Sequence, residues 1–282
     1  MHIIKSAQKL SHYLSVLRIE IENVTVGFTP TMGALHVGHI SLINASVENN
    51  DITICSIFVN PTQFGDQNDL DKYPKPIEKD IALLIENKCD ILFLPSYEDV
   101  YPKEYEQKEF DLAGLDFKIE GASRPGHFQG VSNVISRFFE IIEPTNAYFG
   151  QKDYQQTVVV KRLIKILKLP VILNVEPIKR EPHGLAMSSR NIRLSEKGRK
   201  NAAFINEALK QLKEDVPSLG ITAAVTKAKQ FISAQKGARV DYLLAVDTTT
   251  LDSVDKYKGK GQTAVVTVVE YEGVRLLDNI IL

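Results

Sequence analysis

Two histidines three residues apart, His36 and His39, stand in the glycine-flanked string Pro30-Thr31-Met32-Gly33-Ala34-Leu35-His36-Val37-Gly38-His39. On the first turn of a helix that spacing puts both imidazoles on one face. From there they could hydrogen-bond the oxygens on which charge accumulates when a phosphate is attacked. The string follows the apolar run Val24-Thr25-Val26-Gly27-Phe28 and precedes helical periodicity at Ile40, Ile43 and Val47. It therefore reads as the loop between a strand and its helix. In a doubly wound sheet, ligands bind in the crevice beyond such strand ends. A helix N-terminus there offers N–H groups and partial positive charge to phosphates. Gly33 would let the backbone approach a phosphate, and Gly38 would leave room beside a nucleotide. A lone histidine in this place would more often be a helix cap or a surface residue; the glycine-flanked pair is the stronger signal.

The elements that must carry this loop follow from periodicity. Ile52 to Val59 is a continuous apolar run, expected as a strand buried on both faces. Ile91-Leu92-Phe93-Leu94 is another, stopped by Pro95. Val131, Val134, Ile135, Phe138 and Ile142 mark an amphipathic helix. Ala147-Tyr148-Phe149 is a short strand, Val160, Leu163, Ile164 and Leu167 a helix, and Val171 to Val175 a strand. This alternation predicts an α/β domain with a doubly wound, parallel, Rossmann-like sheet over residues 1–177. Beyond it, Ile205, Ala208, Leu209 and Leu212 give one helix, and Val225, Ala228 and Ile232 another. Val240 to Val246, Thr263 to Tyr271 and Val274 to Leu277 read as strands, the last two joined through Glu272-Gly273 in a tight hairpin. Residues 178–282 are therefore expected to form a smaller C-terminal α+β domain. The irregular stretch over residues 60–76, with Pro61, Gly65, Pro74 and Pro76 among acids, is long for a compact domain, and such loops are usually functional or mobile.

Composition narrows the function classes. Over 282 residues, 34 Lys and Arg stand against 35 Asp and Glu, a formal net charge of −1 that provides no global basic field for nucleic acid. With 44% hydrophobic and 24% charged residues the chain is not disordered. No run approaches the ~20 apolar residues of a membrane span. The N-terminal residues lack the apolar stretch of a signal peptide, so a cytoplasmic location is expected. Cys55 and Cys89 lie within or beside apolar runs and read as small buried hydrophobes rather than a disulfide.

The histidine string resembles the HxGH nucleotide-binding signature of the nucleotidyltransferase and class I synthetase superfamily. In its longer form it is similar to the pantothenate synthetase (pantoate–β-alanine ligase) family. Further matches to that family are Phe58-Val59-Asn60-Pro61-Thr62-Gln63-Phe64, Tyr73-Pro74, Glu120-Gly121, Arg124-Pro125-Gly126-His127-Phe128, Phe149-Gly150-Gln151-Lys152-Asp153-Tyr154-Gln155-Gln156 and Gly184-Leu185-Ala186-Met187-Ser188-Ser189-Arg190-Asn191. The resemblance implies ATP-dependent joining of (R)-pantoate to β-alanine through an enzyme-bound pantoyl adenylate, with release of pyrophosphate and then AMP. It implies ATP contacts from Met32, Gly33, Ala34, Leu35, His36, Val37, Gly38 and His39. Gly150, Gln151, Lys152, Asp153, Lys179, Met187, Ser188, Ser189 and Arg190 complete the set it implies for ATP. His36, His39, Lys152 and Arg190 are the catalytic candidates: neutral imidazole donors, a mobile point charge, and a guanidinium able to follow departing pyrophosphate. Gln63 and Gln156 stand where the family holds pantoate, with Asn60 beside the first; neutral amides suit a small polyhydroxylated acid because they donate and accept. Tyr73 and Arg124 are weaker candidates for contacts to pantoate or phosphate. Mg²⁺ is implied with ATP, held mainly by phosphates and water, and no metal ligand is named. A homodimer is also implied, with no nucleic-acid or membrane partner.

Three positions depart from the family pattern: Gln151 replaces a common Glu, His183 replaces an acid before Gly184, and Lys179 stands where a small apolar residue is common. They bear on the adenine pocket and its pH response. The HxGH string alone would also fit an enzyme activating a different carboxylate, or a non-catalytic nucleotide-binding module. Asn60 to Phe64 and Tyr154-Gln155-Gln156 argue for pantoate, and groups aimed at a leaving phosphate argue for catalysis.

Overall fold

The computed structural model describes residues 1–65 and 70–282, so part of the 60–76 loop lies outside the described residues. The chain divides into two compact units, Met1–Gly150 with Val159–Glu176, and Gln151–Val158 with Pro177–Leu282.

The first unit is built on six strands and their helices. In chain order these are β1 (His2–Ile4), α1 (Ala7–Glu20), β2 (Val26–Thr31), α2 (Val37–Asn49), β3 (Ile52–Ile57), α3 (Ile77–Glu86) and β4 (Ile91–Phe93). There follow α4 (His127–Ile142), β5 (Asn146–Gly150), α5 (Tyr154–Leu167), which belongs to this unit from Val159 onward, and β6 (Ile172–Glu176). The strands pair in the order β1-β4-β3-β2-β5-β6, and every pairing is parallel. The predicted doubly wound sheet is thus the observed one. Chain order reverses between β2 and β5, which places the switch point of the sheet where the Met32–His36 loop leaves β2.

Three of these elements escaped the sequence reading, β1, α1 and α3, the last although Ile77, Ile81 and Leu84 recur at helical spacing. β1 has only three residues, two of them exposed, and α1 buries only Leu10 and Leu14, so neither carries a readable pattern. β2 also runs past Phe28 through Pro30 to Thr31. Proline is tolerated there because β5 pairs with β2 only at Gly27 and Phe28, leaving the Pro30 side with no ladder partner to serve. α4 shows the opposite case: its apolar stripe puts Phe138 edge-on to Phe28, Phe58 and Phe93 at centroid distances of 5.6, 6.1 and 6.0 Å. Burying a ring of that size contributes roughly 1.5–3 kcal/mol. Cys55 and Cys89 are buried free thiols, as expected.

The second unit holds α6 (Phe204–Leu219), α7 (Ile221–Ser233) and an antiparallel sheet of β7 (Ala238–Asp247), β8 (Thr263–Tyr271) and β9 (Val274–Ile281). Leu209, Leu212, Ile221, Ala224 and Ile232 of the helices share a core with Val265, Val269 and Leu276 of the sheet. The β8–β9 hairpin turns at Glu272 and Gly273, both at positive φ (48° and 72°), the type I′ geometry that matches strand twist. The glutamate is anchored there: its carboxylate accepts from the backbone N–H and the hydroxyl of Ser195 at 2.8 and 2.9 Å.

Candidate active site

Thr31 ends β2 and starts the histidine loop. Its hydroxyl donates to the Ser56 carbonyl at 2.7 Å and accepts from the Gly33 N–H at 3.2 Å, which turns the chain sharply. Gly33 has φ +81°, and a Cβ there would sit 3.0 Å from both Asp80 Oδ2 and Ile57 Cγ2. Only glycine fits. Ala34 follows in the left-handed region at φ 51°. The fully buried Asp80 of α3 reaches this loop. Its Oδ2 accepts from the Ala34 N–H and its Oδ1 from the Leu35 N–H, both at 2.8 Å. Burial pushes the Asp80 carboxyl above its ordinary range, and the bonds from Leu35 and Ala34 oppose that rise.

The two imidazoles close the N-terminus of α2 on themselves. His36 is the N-cap, and its Nδ1 accepts from the Gly38 N–H at 3.1 Å. His39 Nδ1 accepts from the His36 N–H at 3.3 Å. The rings lie tilted by 32° with centroids 4.1 Å apart. A ring nitrogen that accepts from a backbone N–H carries no proton, so both histidines are held as the neutral tautomer with hydrogen on Nε2. Helix capping and donor chemistry are therefore compatible: one nitrogen of each ring caps, and the other is a donor.

Asn60 and Gln63 lie on a single 3₁₀ turn, Pro61–Gln63, with Asn60 as its cap. The Asn60 amide is buried and engaged within the protein. Its Nδ2 donates to the Gly130 carbonyl at 3.2 Å and toward Gln63 Oε1 at 3.4 Å, while its Oδ1 accepts from the Tyr101 hydroxyl at 3.3 Å. Burial pushes the Tyr101 phenol up, which keeps it a donor. α4 seats the turn: a Cβ on Gly130 would lie 2.4 Å from the Thr62 carbonyl oxygen. His127 Nδ1 is 2.8 Å from the Gln63 carbonyl, and its Nε2 is 3.1 Å from the Arg124 guanidinium. Arginine only donates, so Nε2 accepts and Nδ1–H donates to Gln63. Gln63 Nε2 lies 2.8 Å from Met32 Sδ, joining this turn to the histidine loop.

In the second unit, Gln151–Asp153 is a 3₁₀ turn leading into α5. Asn279 of β9 fastens it. Asn279 Nδ2 donates to the carbonyls of Gln151 and Lys152 at 2.9 and 3.1 Å, and its Oδ1 accepts from Gln151 Nε2 at 3.0 Å. Lys152 Nζ lies 3.2 Å from Asp153 Oδ1. Gln156 is half-buried in the first turn of α5. Ser188 caps the 3₁₀ turn Ser189–Arg193, accepting from the Arg190 N–H at 3.2 Å. The Met187 N–H donates to the Lys179 carbonyl at 2.9 Å, so these two segments are hydrogen-bonded neighbours. Buried Glu181 braces the loop, accepting from Asn191 Nδ2 at 2.9 Å and Arg199 Nη2 at 2.8 Å. His183 Nε2 lies 3.5 Å from Glu181 Oε2.

Among known families, that of pantoate–β-alanine ligase matches residues 2–281 of the chain. The chain belongs to this family. Pantothenate synthetase of Cytophaga hutchinsonii is 45% identical over 265 residues, 93% of each chain. That of Azobacteroides pseudotrichonymphae is 43% identical over 281 residues, 99% of each. The crystal structure of pantothenate synthetase from Thermus thermophilus has a TM-score of 0.88 at 37% identity, covering 99% of each chain. The pantoate–β-alanine ligase of Francisella tularensis, solved with "Beta-gamma ATP and Beta-alanine", has a TM-score of 0.79 at 35% identity, covering 100% of this chain and 97% of that one.

The structure therefore gathers His36, His39, Met32, Gln63 and Asn60 in the first unit of this ligase-family chain. In the second it gathers Gln151, Lys152 and Asp153 on one turn, and Lys179 with Met187. Sequence reasoning missed Asp80, Asn279 and Glu181. Asp80 stands with Glu78 in the first turn of a helix, where acids ordinarily complement the macrodipole from the surface. Nothing in its local pattern signals burial.

Proposed function

We infer that this chain ligates (R)-pantoate to β-alanine through an enzyme-bound pantoyl adenylate, with ATP as cosubstrate. The observation that carries the reading is the pair of imidazoles at the switch point of the sheet whose Nδ1 atoms accept backbone N–H bonds and so leave Nε2 as the donor nitrogen, in a chain of this family. In the first half-reaction the pantoate carboxylate attacks the α-phosphate, a P–O bond forms, and pyrophosphate leaves. In the second, the β-alanine amine attacks the acyl carbon, a C–N bond forms, and AMP leaves.

The residue roles belong to the same proposal. His39 and His36 donate Nε2–H to phosphate oxygens as charge rises. Met32 to Leu35, Val37 and Gly38 shape the nucleotide side of that loop, and Gly150, Gln151 and Asp153 that of the β5 end. Gln63 and Gln156 pair with pantoate, and Asn60 orients Gln63. Lys152, Ser188, Ser189 and Arg190 serve the phosphates as pyrophosphate departs, with Lys179 and Met187 beside the base. Mg²⁺ would be held mainly by the ATP phosphates and water, where it would offset their charge. We place the reaction in the cytoplasm of the cell and expect a homodimer; no described helix is long and apolar enough to cross a membrane.

Isotope exchange tests the order of chemistry. Labelled pyrophosphate should enter ATP when pantoate is present without β-alanine, and all three substrates should yield pantothenate, AMP and pyrophosphate. Exchange that strictly requires β-alanine would rule out the adenylate-first sequence.

A further inference from the structure

The histidine loop has the shape of an anion nest, and the anion is already in it. Successive backbone N–H groups around a left-handed turn form a concavity that binds phosphate or carboxylate. Here Gly33 and Ala34 supply the left-handed residues at φ 81° and 51°. The N–H groups of Ala34 and Leu35 converge on the two oxygens of Asp80, each at 2.8 Å. The neighbouring donors are committed too. Gly33 N–H goes to Thr31 Oγ1, His36 N–H to His39 Nδ1 and Gly38 N–H to His36 Nδ1. Five backbone donors of the loop thus serve the protein itself.

We propose that Asp80 is a positioning residue for adenylation: its carboxylate is the resident anion of the loop, so that phosphate recognition there falls to the His36 and His39 side chains rather than to the amides of Gly33, Ala34 and Leu35. The left-handed Ala34 is a strained conformation that persists only where surrounding bonds over-determine it. Asp80 supplies those bonds from a fully buried position on a separate helix, before any nucleotide arrives. The loop is then rigid in the free protein, and the imidazoles that follow it in the chain are aimed in advance. The kinetic part of the test rests on the ligase reading; the exchange part does not.

Hydrogen exchange with residue-level readout on the wild-type protein comes first. The Ala34 and Leu35 amides should exchange slowly without ligand and change little when saturating ATP is added. Fast exchange that slows only with ATP would mean those N–H groups await the nucleotide, and would overturn the proposal. Asp80→Asn then keeps the shape but leaves one acceptor where there were two. Its single-turnover adenylation rate should fall on the order of 100-fold, with the pantoate KM within about threefold of wild type and faster exchange confined to residues 31–40. Adenylation within about threefold of wild type, or exchange raised uniformly through the first unit, would make Asp80 an ordinary core residue. If Asp80→Asn does not fold, the wild-type exchange result decides alone. A wild-type protein that forms no pantothenate would strike the functional reading and leave the exchange result standing.

Discussion

Asn279 donates its side-chain amide to the backbone carbonyl of Lys152 at 3.1 Å. The residue before it, Asp278, makes a bidentate pair with Arg180 at 2.6 and 2.8 Å. Two consecutive residues of β9 thus hold the Lys152 turn and the residue next to Lys179. Gln151 is part of the same fastening, because its Nε2 is the donor that Asn279 Oδ1 accepts. Glutamine at 151 supplies through Nε2 the donor that this oxygen accepts, which a carboxylate at 151 would not.

Asn279→Ala should therefore loosen the Lys152 turn. It strips one partner each from the carbonyls of Gln151 and Lys152, at about 1–3 kcal/mol where such groups stay buried. We expect a raised KM for ATP, an unchanged KM for pantoate and a modest fall in Tm. Equal weakening toward both substrates would mean that Asn279 supports the unit as a whole rather than the turn.

What the sequence revealed and concealed follows one physical division. The α4 stripe was readable because its period repeats over enough residues to stand out, β3 and β4 because each lies in a continuous apolar run, and the β8–β9 hairpin because Glu272-Gly273 marks its turn. β1 and α1 were not, being short or weakly amphipathic. At the site, Gly33, His36 and His39 were legible because residue type and spacing coincide within one turn. Asp80 and Asn279 were not, because their roles arise from contacts 45 or more positions away in the chain, which no local pattern encodes. The tautomers of His36 and His39 were equally hidden, since they depend on which backbone N–H each ring faces.

The Gln63 turn offers a second kinetic test. Gln63→Ala should raise the pantoate KM far more than the ATP KM, with about 1–3 kcal/mol lost per unpaired group. Arg124→Ala should act in the same direction but more weakly. It removes the donor that fixes the His127 tautomer, and thereby slackens the His127 bond to the Gln63 carbonyl. If Arg124→Ala matched or exceeded Gln63→Ala, Arg124 would be touching substrate itself.

Asp247 sets a pH dependence in the second unit. Its Oδ1 accepts from the N–H groups of Thr250 and Thr249 at 3.0 and 2.8 Å, and its Oδ2 from Lys258 Nζ at 2.9 Å. These bonds, that from Thr250 foremost, hold its carboxyl down at about 2 against an ordinary 3.8. A depressed acid stabilises the fold above its unfolded value, and that stability is lost as pH falls through the folded one. Asp247→Asn should cost about 1–2 kcal/mol at neutral pH. The difference from wild type should shrink as pH drops from 3.8 toward 2. Denaturant titrations at several pH values would show it; a pH-independent difference would place the effect in packing.

His39 carries two functions on two nitrogens, and substitution can separate them. Nδ1 accepts from the His36 N–H at 3.3 Å and so helps cap α2, while Nε2 bears the proton assigned to the α-phosphate. Asparagine places an acceptor oxygen near the position of Nδ1 and has nothing at Nε2. Glutamine places an amide N–H near Nε2 and gives up the cap. If the donor matters, His39→Asn should keep Tm close to wild type and lose about 100- to 1000-fold in adenylation, roughly 2.7–4 kcal/mol. His39→Gln should lose about 1 kcal/mol of stability with the cap and retain more of the rate. Single-turnover formation of the adenylate is the proper readout, because product release can mask the chemical step. The reverse ranking, with the asparagine variant fast and the glutamine variant slow, would show that His39 works as a helix cap and that the phosphate donor lies elsewhere.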